Sequence, residues 1–147
     1  MIGYGKQTIG KEEIEKIIEV LKSPWLTQGP LIEEFENNMA EFCQVKYACA
    51  VSSGTAALHL ACLAAGIGDG DEVITSPMSF AATANCVLYC RGIPVFCDIK
   101  ESWPALDLNL LTKKITKKTK AVISVDYGGL PENYEELNHI CRKYGLI

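Results

Sequence analysis

The 147-residue sequence predicts an α/β fold, with a mostly parallel sheet and helices on both faces. Short apolar runs suited to buried strands alternate with helical segments along most of the chain. Turns rich in glycine, serine, threonine or aspartate separate these segments. Ligands of such sheets bind in the crevice beyond the carboxyl ends of the strands. The polar residues that follow each strand are therefore the candidate functional residues.

Residues 1–45 predict two helices with a loop between them. Thr8 is a suitable N-cap for the first helix, which ends at the polar loop SPWLTQGP, residues 23–30. Pro30 then occupies the first turn of the second helix. Each helix has one apolar face. These faces carry Ile14, Ile17, Ile18 and Leu21 in the first helix and Leu31, Phe35 and Met39 in the second.

Residues 46–147 predict strands and helices in alternation. Four strands and the opening of a fifth are expected at residues 47–52, 72–76, 94–99, 121–125 and 146–147. An apolar helix follows the turn at residues 52–55, and further helices are expected at residues 80–91, 106–115 and 132–144. Gly92 and Gly145 end the second and the last of these four helices.

Composition excludes several classes of partner. Fourteen basic against 18 acidic residues give a formal net charge of −4, which argues against nucleic acid or an anionic membrane surface. The seven cysteines include no CxxC pair, and the N-terminus has no apolar signal core. We therefore expect reduced thiols, packed as small hydrophobic residues, in a cytoplasmic protein. Cys86 and Cys90 share a helix face without a nearby histidine, so no metal site is predicted.

The turn between the first predicted strand and the apolar helix is a candidate anion site. The backbone N–H groups of Gly54, Thr55 and Ala56 lie at the start of this helix, and the Thr55 hydroxyl adds a donor. This arrangement suits a phosphate group. An ordinary N-cap in the SSGT segment, residues 52–55, explains the same sequence equally well.

Four other side chains lie where function is plausible but packing competes with it. Phe80 follows the second strand, where its ring suits either stacking on a planar ligand or core packing. We expect His59 to be a hydrogen-bonded core residue and His139 to lie on the surface. Asp126 ends a strand, where it suits either a polar functional role or an Asx turn.

Four stretches of the sequence, in this order and spacing, resemble the DegT/DnrJ-type sugar aminotransferases, which are fold-type I pyridoxal-phosphate enzymes. They are SPWLTQGPLIEEFE, VSSGTAALHLA, GDEVITSPMSFAATAN and TKAVISVDYGGLP. Within the family, LTQGP, TSPMSFAATAN and VISVDYGG are most similar to the transaminases of pseudaminic acid biosynthesis. Those enzymes aminate carbon 4 of a UDP-linked 4-keto-6-deoxy-N-acetyl-altrosamine.

The resemblance implies a cofactor, a substrate and the residues that bind them. Pyridoxal phosphate would be bound through its phosphate by Gly54, Thr55 and Ala56, with Phe80 stacked on the pyridine ring. The nucleotide-sugar would contact a second set, Tyr4, Leu26, Thr27, Gln28 and Gly29. The implied reaction moves an amino group from an amino-acid donor, glutamate, to the UDP-linked keto sugar, and the complete enzyme would be a homodimer.

Two functional residues of the family are missing from these 147 residues. The acid that pairs with the pyridinium nitrogen and the lysine that carries the Schiff base both follow the position of Ile147 in the family. The resemblance thus implies the N-terminal part of a pyridoxal-phosphate-binding large domain. Residues 1–45 would be a helical segment with the substrate loop, and residues 46–147 an incomplete sheet region. Family members order their strands 3-2-4-5-6-7-1, so the strand at residues 47–52 is expected to lack a neighbour.

Two other interpretations stay open at the level of sequence. One is a non-catalytic truncated chain that binds a phosphate ligand or pyridoxal phosphate without turnover. The other is a different fold-type I enzyme, such as a sugar dehydratase, that shares the phosphate turn.

Overall fold

The computed structural model describes residues 5–147, and the chain divides after Ala50 into two compact units. The predicted substrate-contact residue Tyr4 lies outside the described residues. Within residues 5–147, each helix is too short or too polar to cross a membrane.

The first unit contains helices α1 (Lys11–Lys22) and α2 (Pro30–Phe42). The N-cap of α1 is Gly10, so the prediction of Thr8 in that role is wrong. The reason is local, because the Glu13 carboxylate reaches back and accepts a hydrogen bond from the Gly10 N–H at 2.6 Å. Pro30 takes the first turn of α2 as predicted. Both predicted apolar faces are present but exposed, including Ile17 and Phe35.

The second unit contains a parallel three-stranded sheet, as predicted. Its strands are β1 (Glu72–Thr75), β2 (Ile93–Phe96) and β5 (Thr119–Ile123), in the order β2-β1-β5. The free edge of β5 is extended by Ile147, whose N–H donates to the Lys120 carbonyl at 3.1 Å. The Ile147 carbonyl accepts from the Val122 N–H at 2.9 Å. This pairing is consistent with the strand expected to open at residues 146–147.

Helices lie on both faces of this sheet, which confirms the predicted fold class. They are α3 (Gly54–Ala64), α4 (Ala82–Tyr89), α5 (Leu108–Lys114) and α6 (Tyr134–Tyr144). Neighbouring residues of β1 point to opposite faces. Val73 packs with residues of α3 and α4, including Cys62 and Val87. Ile74 packs with residues of α5 and α6, including Leu111 and Leu137. The last helix ends at Gly145, whose φ of +66° is the left-handed conformation expected of a glycine cap.

Two predicted strands differ from those observed, although the expected lack of a neighbouring strand beside residues 47–52 agrees with the described part of the chain. Residues 47–52 form no strand ladder within the described chain, and Ser52 lies in a bend. In a sheet, the Ala50 N–H would donate to a carbonyl of a neighbouring strand. Here it donates to Glu36 Oε1 at 2.8 Å instead. The strand expected at residues 94–99 is instead divided, because β2 ends at Phe96. The chain then forms an antiparallel hairpin of β3 (Ile99–Lys100) and β4 (Trp103–Leu106), which the sequence did not predict.

Candidate functional site

The turn before α3 presents two backbone N–H groups that the helix itself does not use. Ser53 is the N-cap, and its hydroxyl accepts a hydrogen bond from the Ala56 N–H at 3.1 Å. The first bond of the helical ladder runs from the Ala57 N–H to the Ser53 carbonyl at 3.0 Å. The amides of Gly54 and Thr55 precede that bond and are the orphan donors of the helix start. The N-cap interpretation of this turn is confirmed, and it leaves these two amides for an anion.

The space beside this turn is open. Apart from its chain neighbours and the nearby backbone of its own helix, no described residue has a heavy atom within 4 Å of the position that a Cβ on Gly54 would take. The side chain of Thr55, at the second position of α3, is half-buried. The helix N-terminus also carries a partial positive charge. A phosphate therefore fits this end of α3 both in space and in charge.

Phe80 lies on the same cleft as the turn. The cleft has a volume of about 660 Å³ and is lined by Gly54 and Thr55, by further residues of α3, and by Phe80 and Ala82. The Phe80 side chain is 78% exposed, so it does not pack in the core of this chain. Phe80 is therefore not a core residue of the described chain. The structure brings Phe80 and the turn before α3 to one cleft.

The loop of residues 23–30 forms a separate cavity within the first unit, with a volume of about 380 Å³. Leu26, Thr27 and Gln28 are exposed on this loop. Gln28 has a φ of +54°, a conformation that costs energy for a residue other than glycine. Gly29 is needed for packing, because a Cβ there would lie 2.9 Å from the Trp25 Cβ. The four predicted loop residues thus lie together around one cavity.

Asp126 has a structural role that neither sequence interpretation included. Its Oδ1 accepts hydrogen bonds from the Tyr134 hydroxyl at 2.8 Å and from the Glu132 N–H at 3.1 Å. The Glu132 carboxylate is buried and accepts from the Leu106 N–H at 2.8 Å. Burial, as the main cause, raises the pKa values of Glu132 and Tyr134. The cluster fixes the segment between β5 and α6, and no spacing rule in the sequence indicates it.

The histidines and cysteines are structural or exposed. His59 is half-buried, and its ring meets the Tyr89 ring edge-on with the two ring centroids 5.4 Å apart. The prediction that His59 is a hydrogen-bonded core residue is therefore wrong. His139 is exposed, as predicted. Four cysteines are buried thiols, as expected, and they are Cys62, Cys86, Cys90 and Cys97. Burial and the Cys86 thiol at 3.6 Å raise the pKa of Cys62 to about 12. Cys43 and Cys49 are exposed, which the packing argument did not anticipate.

Comparison with known proteins gives consistent matches. The sequence model of the DegT/DnrJ/EryC1/StrS aminotransferase family matches residues 7–147. The spore coat polysaccharide biosynthesis protein SpsC of Bacillus subtilis (strain 168) is 44% identical over 144 residues, which are 98% of this chain and 37% of SpsC.

Solved structures agree with this match. Helicobacter pylori PseC, an aminotransferase involved in the biosynthesis of pseudoaminic acid, is 38% identical with a TM-score of 0.89. That alignment covers 98% of this chain and 39% of PseC. The PLP-form of Spr1654 from Streptococcus pneumoniae, provisionally named a sugar aminotransferase, is 32% identical with a TM-score of 0.92. That alignment covers 97% of this chain and 36% of Spr1654. The chain therefore spans little more than a third of the length of these relatives.

Proposed function

Since the chain belongs to the DegT/DnrJ/EryC1/StrS aminotransferase family, we propose that it is the N-terminal part of a pyridoxal-phosphate-dependent sugar aminotransferase. Residues 46–147 supply the cofactor-binding part of its large domain, and residues 1–45 supply the substrate loop. One observation carries the proposal, namely that Gly54 and Thr55, whose amides are the orphan donors of α3, line the same cleft as the exposed Phe80.

The phosphate of the cofactor is held at the start of α3. The Gly54 and Thr55 amides and the Thr55 hydroxyl donate to it, and the helix N-terminus favours its negative charge. The Ala56 amide already donates to the Ser53 hydroxyl, so Ala56 contributes mainly by keeping the turn in shape. Each hydrogen bond to a charged oxygen contributes about 1.5–3 kcal/mol. Two or three such bonds are enough to anchor the cofactor at this end.

Phe80 orients the cofactor ring. Its face is exposed on the cleft, and aromatic rings gain about 0.5–1.5 kcal/mol from stacked or edge contacts beyond the burial of their area. When bound, pyridoxal phosphate supplies an electron sink for breaking bonds at the amino-bearing carbon. The residues of this chain bind and orient it. The family resemblance assigns the lysine that moves the proton to the part of the enzyme that follows Ile147.

The nucleotide-sugar is bound by the loop of residues 23–30; the family resemblance adds Tyr4, which lies outside the described residues. The exposed side chains of Thr27 and Gln28 offer hydrogen-bonding groups beside the apolar cavity at Leu26 and Gly29. We assign a UDP-linked 4-keto-6-deoxy sugar as the substrate and glutamate as the donor. The likeness to PseC and the LTQGP segment support an enzyme of pseudaminic acid biosynthesis, acting in the cytoplasm as a homodimer.

The test uses the full-length enzyme, meaning this chain continued to the length of its relatives. The purified protein is titrated with pyridoxal phosphate and then incubated with glutamate and the UDP-keto sugar. Mass spectrometry detects the UDP-amino sugar. Formation of the product supports the proposal, and the 147-residue chain alone is the negative control. Cofactor binding without amination would favour the non-catalytic interpretation, whereas the absence of cofactor binding would exclude the proposed function.

The phosphate turn has its own test in the Thr55→Ala variant. Losing one hydrogen bond to the phosphate should raise the dissociation constant of pyridoxal phosphate by about 5- to 30-fold, equivalent to about 1–2 kcal/mol. Thr55→Ser keeps the hydroxyl and is the matched control, expected to bind nearly as well as the unmodified enzyme. Equal dissociation constants for Thr55→Ala and the unmodified enzyme would remove Thr55 from the phosphate site.

A further inference from the structure

The ring of Phe80 is not held in position by its own contacts. Because 78% of the side chain is exposed, its orientation depends on the backbone of the loop between β1 and α4. The N-cap of α4, Ala81, has no side chain that can fix this end of the helix by hydrogen bonding. Some other group must therefore hold residue 80 in place.

Two hydroxyl groups close the loop on either side of Phe80. Ser79 Oγ and Thr83 Oγ1 lie 2.6 Å apart in a hydrogen bond that either can donate. The Thr83 N–H also donates to the Phe80 carbonyl at 3.0 Å. Thr83 is buried, so one anchor of the pair is fixed in the body of the second unit, while Ser79 is half-buried in the loop. Phe80 thus lies in a short loop that these two hydrogen bonds close, and the buried Thr83 anchors one end of that loop.

We propose that the Ser79–Thr83 hydroxyl pair positions the Phe80 ring for stacking on the cofactor. Both are positioning residues, since they act on the ligand through Phe80. The inference rests on the proposed function, because it requires a planar ligand in the cleft shared by Phe80 and the turn at Gly54. Breaking the pair leaves the aromatic ring present but lets the loop carry it out of the stacking geometry.

Thr83→Val is the variant that isolates this effect. Valine keeps the branched shape and the burial of Thr83, and the freed Ser79 hydroxyl can turn to water because Ser79 is half-buried. The variant should raise the dissociation constant of pyridoxal phosphate about three- to tenfold and weaken the visible circular dichroism of the bound cofactor. Thr83→Ser should restore both values. Thr112→Val removes a hydroxyl bonded within α5 and should change neither.

A double-mutant cycle with Phe80→Leu separates positioning from simple stabilisation of α4. The full-length enzyme is used, and the free energy of unfolding is measured beside cofactor binding. If the pair acts through the ring, Thr83→Val weakens binding when Phe80 is present but has little effect when it is combined with Phe80→Leu. Should Thr83→Val not fold, Ser79→Ala removes the other half of the pair.

The outcomes distinguish this inference from the proposed function. Weakening by Phe80→Leu together with coupled weakening by Thr83→Val supports the positioning role. If Phe80→Leu weakens cofactor binding but Thr83→Val has no effect, the positioning role is overturned while the proposed function stands. The same conclusion follows if Thr83→Val weakens binding equally with and without Phe80→Leu. If the unmodified enzyme does not bind pyridoxal phosphate, the proposed function fails and this inference fails with it.

Discussion

Strand β1 and residues 47–52 have similar apolar sequences and opposite outcomes. β1 is paired on both edges, and Val73 and Ile74 are fully buried on its two faces. Residues 47–52 form no ladder in the described chain, and Tyr47 is 77% exposed. The difference shows that an apolar run establishes the tendency to be a strand, whereas a neighbouring strand decides the result.

The same contrast appears in how two backbone N–H groups find acceptors. The Ala50 N–H donates to the Glu36 carboxylate, and the Leu106 N–H of β4 donates to the Glu132 carboxylate, each at 2.8 Å. In both places a glutamate does what a strand carbonyl would otherwise do. The Glu132 bond is buried and the Glu36 bond only partly so. The buried substitute is therefore the more costly one to disturb.

Hydrogen exchange should show the largest difference between the two regions. In the 147-residue chain, we expect the amides of Val73 and Ile74 to exchange at least about a hundredfold more slowly than those of residues 47–52, because only β1 is paired on both edges. Mass spectrometry with peptide-level resolution is sufficient. Strong, uniform protection of residues 47–52 in a monodisperse monomer would mean that this segment pairs after all, and that it has a neighbouring strand within the chain.

Truncating one side chain in each region should give a smaller but clear difference. Ile74→Ala removes a fully buried side chain that packs with residues of α5 and α6, and it should lower the free energy of unfolding by about 3 kcal/mol. Tyr47→Ala, in the exposed segment, should change it by less than about 0.5 kcal/mol. Urea unfolding followed by circular dichroism measures both. Comparable losses would show that Tyr47 is packed in solution.

Sequence patterns were sufficient for the central part of the fold and for bringing three candidate site residues to one cleft. The runs around Val73 and Val122 and the cap at Gly145 are local signals, and each predicted the observed element. The rule that ligands bind beyond strand ends placed Gly54, Thr55 and Phe80 near one another, and all three line one cleft.

What the sequence left out depends on contacts between distant or unpatterned residues. The β3–β4 hairpin turns between Lys100 and Trp103 without a glycine or asparagine to indicate it. The bond of Glu132 to Leu106 joins residues 26 apart, and no periodicity predicts such a pair. The Ala56 N–H donates to the Ser53 hydroxyl and not to a ligand, and the sequence of the turn alone does not show which of these two acceptors it uses.

The buried glutamate gives the smallest expected effect, and its sign depends on pH. Burial is the main cause that raises the pKa of Glu132 above its ordinary value of 4.5, so the folded chain binds this proton more tightly than the unfolded chain. The resulting stabilisation is complete below the unfolded pKa and is lost as the pH rises through the folded pKa.

Glu132→Gln keeps an acceptor for the Leu106 N–H and carries no charge. The variant should therefore gain stability relative to the unmodified chain as the pH rises from 4.5, and the gain should level off above the folded pKa. Urea unfolding between about pH 4 and 8 measures this difference, with Glu101→Gln, in the exposed turn between β3 and β4, as the control that should follow the unmodified chain. A Glu132→Gln variant that loses stability with rising pH would show that the carboxylate is favoured in the fold, and that the hydrogen bond from Leu106 outweighs the cost of burial.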